Sequence, residues 1–278
     1  MPDDKLSEIQ SRFLKEAQQK QRRIAIGIWR PEPVVVDSLR QAQNYTDLTV
    51  VGCQIEGLNC MPTKDDDEAS HVIVDLVKEG RVEGFVRGQL KDSYTHKVYV
   101  EALGRPEPKF KFTPLTIAKD RQWFTISSPS NYNSLTLEQK QAEAERAARW
   151  LTDLGYIPKI GVASTRRLSG RVGEFGLLEE IAKYCEEAAE FLRGKGYDVT
   201  EYYIEYERAV WEGCNLIVPS IGMIANTWLK GLVYLGGWTL VCCPMLDEGS
   251  FYDDSPRNNV NWFWPIISTA AWINRSLL

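Results

Sequence analysis

The stretch KIGVASTRRLSGRVG, residues 159–173, decides how this chain is expected to fold. Four of its first five residues, IGVA at 160–163, are small or apolar, and the run is typical of a buried strand. The next ten carry three arginines, three hydroxyls and two glycines, and an amphipathic helix is predicted from about residue 174 to residue 193. Main-chain N–H groups and the helix dipole favour anions at such a strand–loop–helix junction. The stretch therefore predicts a phosphate or carboxylate subsite; the alternative is a solvated, arginine-rich surface turn.

Outward from this stretch, apolar runs of strand length alternate with amphipathic runs of helix length. The strand-like runs include residues 24–29, 48–52, 82–88, 215–219 and 239–244. This alternation predicts an α/β protein in which mainly parallel sheets carry helices on both faces. Functional loops are then expected at the carboxyl ends of the strands.

Two lobes with a cleft between them are expected. A proline-rich break follows residue 103, and a turn-rich segment covers residues 247–259. An N-terminal lobe is therefore predicted to hold residues 1–125 plus 251–278, and a middle lobe to hold residues 126–250.

The bulk composition restricts the partners of the chain. Its 278 residues carry a formal net charge of −5, so no global basic field favours nucleic acid or an anionic membrane. The first residues are polar and acidic, and no apolar run of about 18 residues occurs. We expect a cytoplasmic protein. The nine tryptophans and the apolar C-terminal half favour a homodimer.

Metal and thiol chemistry have little support in the sequence. The six cysteines form no C-x-x-C pair, and several lie in apolar runs, which is typical of reduced, structural thiols. The two histidines, His71 and His96, have no partner at metal-ligand spacing. We therefore expect no metal site and no histidine general base.

Three patches resemble the phosphate acetyltransferase/butyryltransferase superfamily, and they are most similar to the MtxX-type proteins of methanogens. They are IGVAST (160–165), CNLIVPSIGMIANTWLKGLVYLGG (214–237) and YDDSPR (252–257). The resemblance implies a two-lobed fold like that of isocitrate and isopropylmalate dehydrogenases. It also implies acyl transfer between phosphate and a thioester such as acyl-CoA, without a tightly bound cofactor. The implied partner is a small anion, which would be phosphate, an acyl phosphate or coenzyme A itself.

The chain departs from the family pattern at several positions. Ser220 stands where the family usually has Asp, and Ala225 replaces the Gly of a Gly-Asn pair. Pro256 splits the usual Ser-Arg pair, and Trp262 stands near the position of an Asp that serves as base. Because residues 258–278 contain no Asp or Glu, acyl transfer is expected to be weak or lost.

Polar side chains at predicted loop positions supply the candidate site. An arginine cluster could orient phosphate and face a developing oxyanion without titrating. The catalytic candidates are Asp254, as the only nearby base, with Ser255 and Arg257. The candidates for phosphate or substrate binding are Arg87, Ser164, Arg166, Arg167, Ser169, Arg171, Asn226 and Lys230.

Several of these candidates have an alternative interpretation. Arg87 could form a structural salt bridge, and Ser255 with Arg257 could be a surface turn. Asn226 could orient a loop rather than contact substrate. Three functions remain open: an acyl- or phosphoryl-group transferase, an MtxX-type methyltransferase or C1-metabolism protein, and a non-catalytic binding or assembly protein on the same fold.

Overall fold

The computed structural model describes residues 6–104, 111–130, 133–167, 176–246 and 251–276. The strands within these ranges are β1 (Arg22–Ile28), β2 (Thr46–Gly52), β3 (Asn59–Pro62), β4 (Gly84–Val86), β5 (Leu115–Lys119), β6 (Gln122–Ile126), β7 (Lys159–Ala163), β8 (Asp198–Tyr203), β9 (Leu216–Val218), β10 (Thr239–Cys242) and β11 (Tyr252–Asp253). The helices are α1 (Glu8–Ala17), α2 (Pro33–Gln43), α3 (Asp66–Lys78), α4 (Asp92–Ala102), α5 (Leu137–Asp153), α6 (Gly176–Gly194), α7 (Tyr206–Trp211), α8 (Gly222–Lys230) and α9 (Phe263–Ser276), with a π-helical turn at Gly231–Leu235.

The chain divides into two compact units, Met1–Lys109 with Leu240–Leu278, and Phe110–Thr239. The observed boundaries differ from the predicted ones at residues 125 and 250. Strands β5 and β6 form an antiparallel hairpin, and β6 pairs with β9 through Ile126 and Ile217. This hairpin therefore belongs to the sheet of the second unit rather than to the first. The proline-rich break, and not the hairpin, lies near the division.

The sheet of the first unit has the order β11-β4-β1-β2-β3 in the part of the chain that the structure describes. All four pairings are parallel, and helix α2 supplies the crossover between β1 and β2. The carboxyl ends of the strands therefore lie at one edge. Strand β1 is buried along almost its whole length, which explains its continuous apolar sequence.

Helix α9 closes the core of the first unit. Trp262, which precedes it, and Trp264 within it are at most 1% exposed, so the C-terminal aromatic run is core. The buried Asn274 links α9 to the rest of the unit. Its Oδ1 accepts from Arg22 Nε at 2.6 Å, and its Nδ2 donates to the carbonyl oxygens of Glu16 and Lys20. A buried polar residue that is fully bonded in this way fixes the position of the helix.

Within the second unit, the sheet has the order β5-β6-β9-β7-β8. Strand β7, which the opening sequence stretch predicted, lies between β9 and β8 in parallel register. Helix α6 follows it, close to the predicted position. The mixed α/β architecture with mainly parallel sheets confirms the predicted fold class. In the described ranges, no helix is long and apolar enough to cross a membrane.

A glycine contact sets the spacing between β1 and the segment that follows β4. Gly88 has φ +66°, and a Cβ there would lie 2.0 Å from the carbonyl oxygen of Gly27. In turn, a Cβ on Gly27 would lie 2.3 Å from Leu90 Cγ. Both positions therefore require glycine, and the segment after β4 packs directly on the end of β1.

Replacement of Gly88 by Ala should destabilise the first unit more than the matched change Gly80→Ala. Gly80 has a similar φ of +68°, but a Cβ there would meet nothing within 4 Å. Left-handed backbone costs about 1–2 kcal/mol in both variants. Overpacking adds about 1–3 kcal/mol in Gly88→Ala alone. Urea unfolding should resolve this difference, and equal losses in the two variants would contradict the contact.

Candidate functional site

Arg87 clamps the C-terminal loop, residues 252–257, onto the carboxyl edge of the first sheet. Its Nε donates to Asp254 Oδ1 at 2.5 Å and its Nη1 to the Leu90 carbonyl at 2.7 Å. Its Nη2 donates to the carbonyls of Asp254 and Ser255 at 3.0 and 2.9 Å. Burial by itself would lower the pKa of Arg87, but the ion pair with Asp254 raises it above its ordinary value. The guanidinium is 3% exposed and stays charged.

Arg87 therefore forms a structural salt bridge, which was one of the two interpretations of this residue. Four of its N–H groups are engaged by the protein, so little capacity remains for a phosphate. A role for Arg87 in direct phosphate binding stays a prediction. Its evident effect is to fix the backbone that carries the next candidates.

Asp253 also fixes this loop, because its buried carboxylate accepts hydrogen bonds from two backbone N–H groups. Its Oδ2 accepts from the Cys243 N–H at 2.7 Å, and its Oδ1 accepts from the Ser255 N–H at 2.9 Å. The carboxyl is 2% exposed, and removal from water raises the pKa of Asp253 to about 6. The hydrogen bonds from Ser255 and Cys243 act in the opposite direction. Sequence reasoning passed over Asp253 in favour of its neighbour.

Asp254 is bound to two partners through one oxygen. Besides Arg87 Nε, its Oδ1 accepts from Tyr252 Oη at 2.7 Å. A proton taken up at this oxygen would compete with both hydrogen bonds. The predicted roles of Asp254 as a base and of Ser255 as a catalytic hydroxyl remain predictions. Ser255 is fully buried, so its hydroxyl lies beneath the surface of the loop.

Arg257, at the end of the loop, is exposed and lines a pocket of about 250 Å³. We call this the arginine pocket; its lining residues are Trp29, Arg30, Asp65, Asp66, Gln89 and Arg257. A smaller pocket of about 150 Å³ shares Arg30, Gln89 and Arg257 and adds Glu32, Asn258, Asn259 and Val260. These residues follow the carboxyl ends of strands in the first sheet, where α/β folds bind ligands.

Arg30 and Arg257 are the cations of this pocket. Among the described residues, neither guanidinium forms an ion pair. Both are exposed to solvent at the pocket wall, and each offers forked donors that match a phosphate or a carboxylate. Two exposed guanidiniums of the kind that bind small anions thus line one pocket, together with Asp65 and Asp66.

Gln89 places Arg30 beside Arg257. Its Oε1 accepts from the backbone N–H groups of Trp29 and Arg30 at 2.8 and 2.7 Å, and its Nε2 donates to the Arg30 carbonyl at 3.2 Å. Sequence reasoning missed both Arg30 and Gln89. Arg30 follows a buried strand directly, which is the criterion that selected Arg87, so it could have been found. Gln89 carried no such signal.

In the second unit, the structure places Ser164 and Arg166 directly after β7. Ser164 is buried, and its N–H donates to the Tyr203 carbonyl at 2.7 Å. Arg166 forms ion pairs with Glu186 at 2.6 Å and Glu179 at 2.8 Å, both on α6. These carboxylates neutralise Arg166, so an anion would have to displace them. Phosphate binding by Arg166 and Ser164 stays a prediction.

The other candidates of this unit differ in what they contact. Arg167 is exposed, and Lys230 is the exposed last residue of α8. Asn226 donates from Nδ2 to the Pro129 carbonyl at 2.8 Å and so orients the loop after β6, in line with its structural reading. Ser169 and Arg171 lie outside the described residues.

A buried lysine, missed from the sequence, organises the carboxyl edge of the second sheet. Lys140 is 0% exposed, and its Nζ donates to the carbonyls of Pro219 and Ser220 at 2.8 and 2.7 Å. Burial lowers the pKa of Lys140 and raises that of the nearby Glu143, which accepts from Ser134 Oγ. Both residues lie on the apolar stripe of α5, and a charge in such a stripe was the available signal.

No group of three or more potential metal-ligating side chains occurs among the residues that the structure describes. The expectation that the chain has no metal site stays a prediction.

The raised pKa of Asp253 should be visible directly. In protein labelled with ¹³C at aspartate carboxyls, one resonance should titrate near pH 6 and be missing in Asp253→Asn. The unfolded carboxyl titrates near pH 3.9. Between about pH 4 and pH 6 the folded state binds more protons, so the contribution of Asp253 to stability falls as pH rises. If every aspartate of the native protein titrated below pH 5, this account of the loop would be wrong.

No protein-family model matches the chain. Two known proteins, each named "Putative methyltransferase mtx subunit X", are similar to it in sequence. The protein of Methanosarcina mazei is 26% identical over 247 residues, which cover 84% of each chain. The protein of Methanosarcina barkeri is 25% identical over 244 residues, covering 84% of this chain and 87% of that protein.

Solved structures share the fold at lower sequence identity. A branched-chain phosphotransacylase from Enterococcus faecalis has a TM-score of 0.63 at 12% identity and covers 92% of this chain and 100% of its own. A phosphotransacetylase from Streptococcus pyogenes has a TM-score of 0.63 at 13% identity, with 96% and 99% covered. A 4-hydroxythreonine-4-phosphate dehydrogenase from Klebsiella pneumoniae has a TM-score of 0.54 at 14% identity, with 92% and 99% covered. The chain thus resembles MtxX-type proteins in sequence and phosphotransacylases in fold.

Proposed function

We propose that the chain binds a phosphate-bearing small molecule in the arginine pocket and transfers an acyl group to or from it. The observation that carries the proposal is the pair of exposed arginines, Arg30 and Arg257, that line one pocket. Similarity to phosphotransacylases in fold supports the reaction class. A homodimer and a cytoplasmic location are part of this proposal and stay predictions.

The reaction needs phosphate held as an oriented nucleophile. A phosphate oxygen attacks the thioester carbonyl carbon, the new C–O bond forms, the C–S bond breaks, and the thiolate leaves. Two fixed guanidiniums can orient the phosphate and offset charge on the carbonyl oxygen. In the reverse direction the thiol must lose its proton to a base, and in the forward direction the same group, as an acid, must protonate the leaving thiolate. Asp254 is occupied by Arg87 and Tyr252, and no carboxylate occurs in residues 258–278. We therefore propose slow transfer.

A second function has an observation of its own. Two relatives that are similar in sequence carry a methyltransferase-subunit name, which supports an MtxX-type role in C1 metabolism. The occupied carboxylate of Asp254 supports a third, non-catalytic role in binding or assembly. A coenzyme A thioester is a substrate only under the first proposal, and the absence of a tightly bound cofactor stays a prediction.

Arg257→Ala and Arg30→Ala should each weaken the binding of inorganic phosphate by about tenfold or more. Charge-assisted hydrogen bonds contribute about 1.5–3 kcal/mol each. Isothermal titration calorimetry measures the change. Arg121→Ala is the matched control, because Arg121 is equally exposed but lies in the β5–β6 turn, away from the carboxyl edge of its sheet. Unchanged affinity in both pocket variants would exclude the arginine pocket as the phosphate site.

Thiol release from acetyl-CoA or butyryl-CoA should require phosphate and run below about 1 per second, the lower end of ordinary turnover. A missing general base typically costs about 10²–10⁴-fold in rate. Arg257→Ala should slow the release a further tenfold or more, whereas Arg121→Ala should not.

Two results would contradict this. Phosphate binding without phosphate-dependent thiol release would favour the non-catalytic role. Turnover within the ordinary range would show that a base is present, and loss of that turnover in Asp254→Asn would identify it.

A further inference from the structure

We propose that the ligand of the arginine pocket is a small zwitterion, with an anionic phosphate at Arg30 and Arg257 and a cationic amine at Asp65 and Asp66. The inference rests on the proposed phosphate site and specifies its substrate class. Under this inference, the ligand of the arginine pocket is an amino-phosphate, and a coenzyme A thioester is not held there.

The residues that line the arginine pocket carry charges of both signs. The arginine pocket is lined by two guanidiniums and two carboxylates, which give no net charge. In the described part of the chain, these four groups form no ion pair with one another or with other side chains. Opposite charges thus share one pocket without neutralising each other by contact. A ligand with one charge of each sign can pair with both kinds of group at once, whereas a plain dianion is attracted by the guanidiniums and repelled by the carboxylates.

Capping of helix α3 explains only some of the carboxylates at its N-terminus. Asp65 is the N-cap, and its Oδ1 accepts from the Glu68 N–H at 2.8 Å. Glu68 accepts from the Lys64 N–H, and Asp67 pairs with Lys91 at 3.4 Å. These groups already cap the helix and offset its dipole.

The side chain of Asp66 is not used to cap helix α3. One oxygen, Oδ1, accepts from the backbone N–H of Lys91 at 3.2 Å, which ties the start of α4 to α3. Its carboxylate also lines the pocket, together with that of Asp65. Two adjacent carboxylates on a pocket wall are suited to an ammonium group, which donates three hydrogen bonds.

The size of the pocket is the second argument. Sites for drug-sized ligands usually measure about 300–1,000 Å³. At about 250 Å³, the arginine pocket is smaller, and it is suited to a molecule of a few heavy atoms between the two charges. A complete coenzyme A would extend far outside it. Trp29 supplies an apolar wall for a short carbon linker.

The test compares two ligands that differ only in the amine, 2-aminoethyl phosphate and ethyl phosphate. By calorimetry, the wild-type chain should bind 2-aminoethyl phosphate about tenfold or more tightly than ethyl phosphate, as expected for one added charge-assisted contact. In Asp66→Asn this ratio should fall to about three or less. Asparagine keeps an oxygen for the Lys91 N–H, so the fold should persist, and the thermal midpoint checks this.

Asp67→Asn is the matched control. It removes the next carboxylate of the same helix turn, but that carboxylate does not line the pocket, so the ratio should remain at its wild-type value. Asp65→Asn should lower the ratio as Asp66→Asn does, because asparagine is also a good N-cap.

The outcomes separate the two proposals. Equal affinity for both ligands in the wild type, with both lost in Arg257→Ala, would overturn the zwitterion inference and leave the phosphate site intact. A preference that survives in Asp66→Asn and Asp65→Asn would also overturn it. If neither ligand nor inorganic phosphate binds, the proposed function fails together with the inference.

Discussion

The buried guanidinium of Arg87 is the interaction on which the first unit depends. It joins two segments more than 160 residues apart by an ion pair and two hydrogen bonds to backbone carbonyls. Loss of one partner of such a pair leaves an uncompensated buried charge, which typically costs about 3–5 kcal/mol. Asp253 and the pairing of β11 with β4 hold the same loop, and the clamp adds to them. Arg87 therefore acts on the pocket through the position of Arg257.

The arginine pocket results from several contacts that reinforce one another. Gly27 and Gly88 bring the segment after β4 against β1, and that contact allows Gln89 to reach the backbone of Arg30. The guanidinium of Arg30 is exposed, but the backbone that carries it is fixed. A charged group on a fixed backbone loses less conformational freedom when it binds a ligand, which favours affinity. The pocket is thus preorganised by neutral groups as well as by the ion pair.

Each unit pairs some cations at the carboxyl edge of its sheet and leaves others exposed. In the first unit, Arg87 is engaged by Asp254 and by backbone carbonyls, while Arg30 and Arg257 are exposed. In the second, Arg166 pairs with two glutamates of α6 and Lys140 donates to backbone carbonyls, while Arg167 is exposed. Exposed cations without a protein partner, rather than arginines in general, are the ones suited to a substrate anion.

The sequence by itself determined the α/β class, the strand at residues 159–163, the helix at residues 176–194 and the place of Arg257 in a turn, because these depend on local periodicity and turn chemistry. Only the tertiary structure decided which arginines were available. Arg87 and Arg257 look alike in the sequence, yet one is buried against Asp254 and the other lines a pocket. The assignment of the β5–β6 hairpin, the role of Gln89 and the burial of Lys140 depend likewise on pairings between distant segments. Such pairings are set by packing, which local patterns do not record.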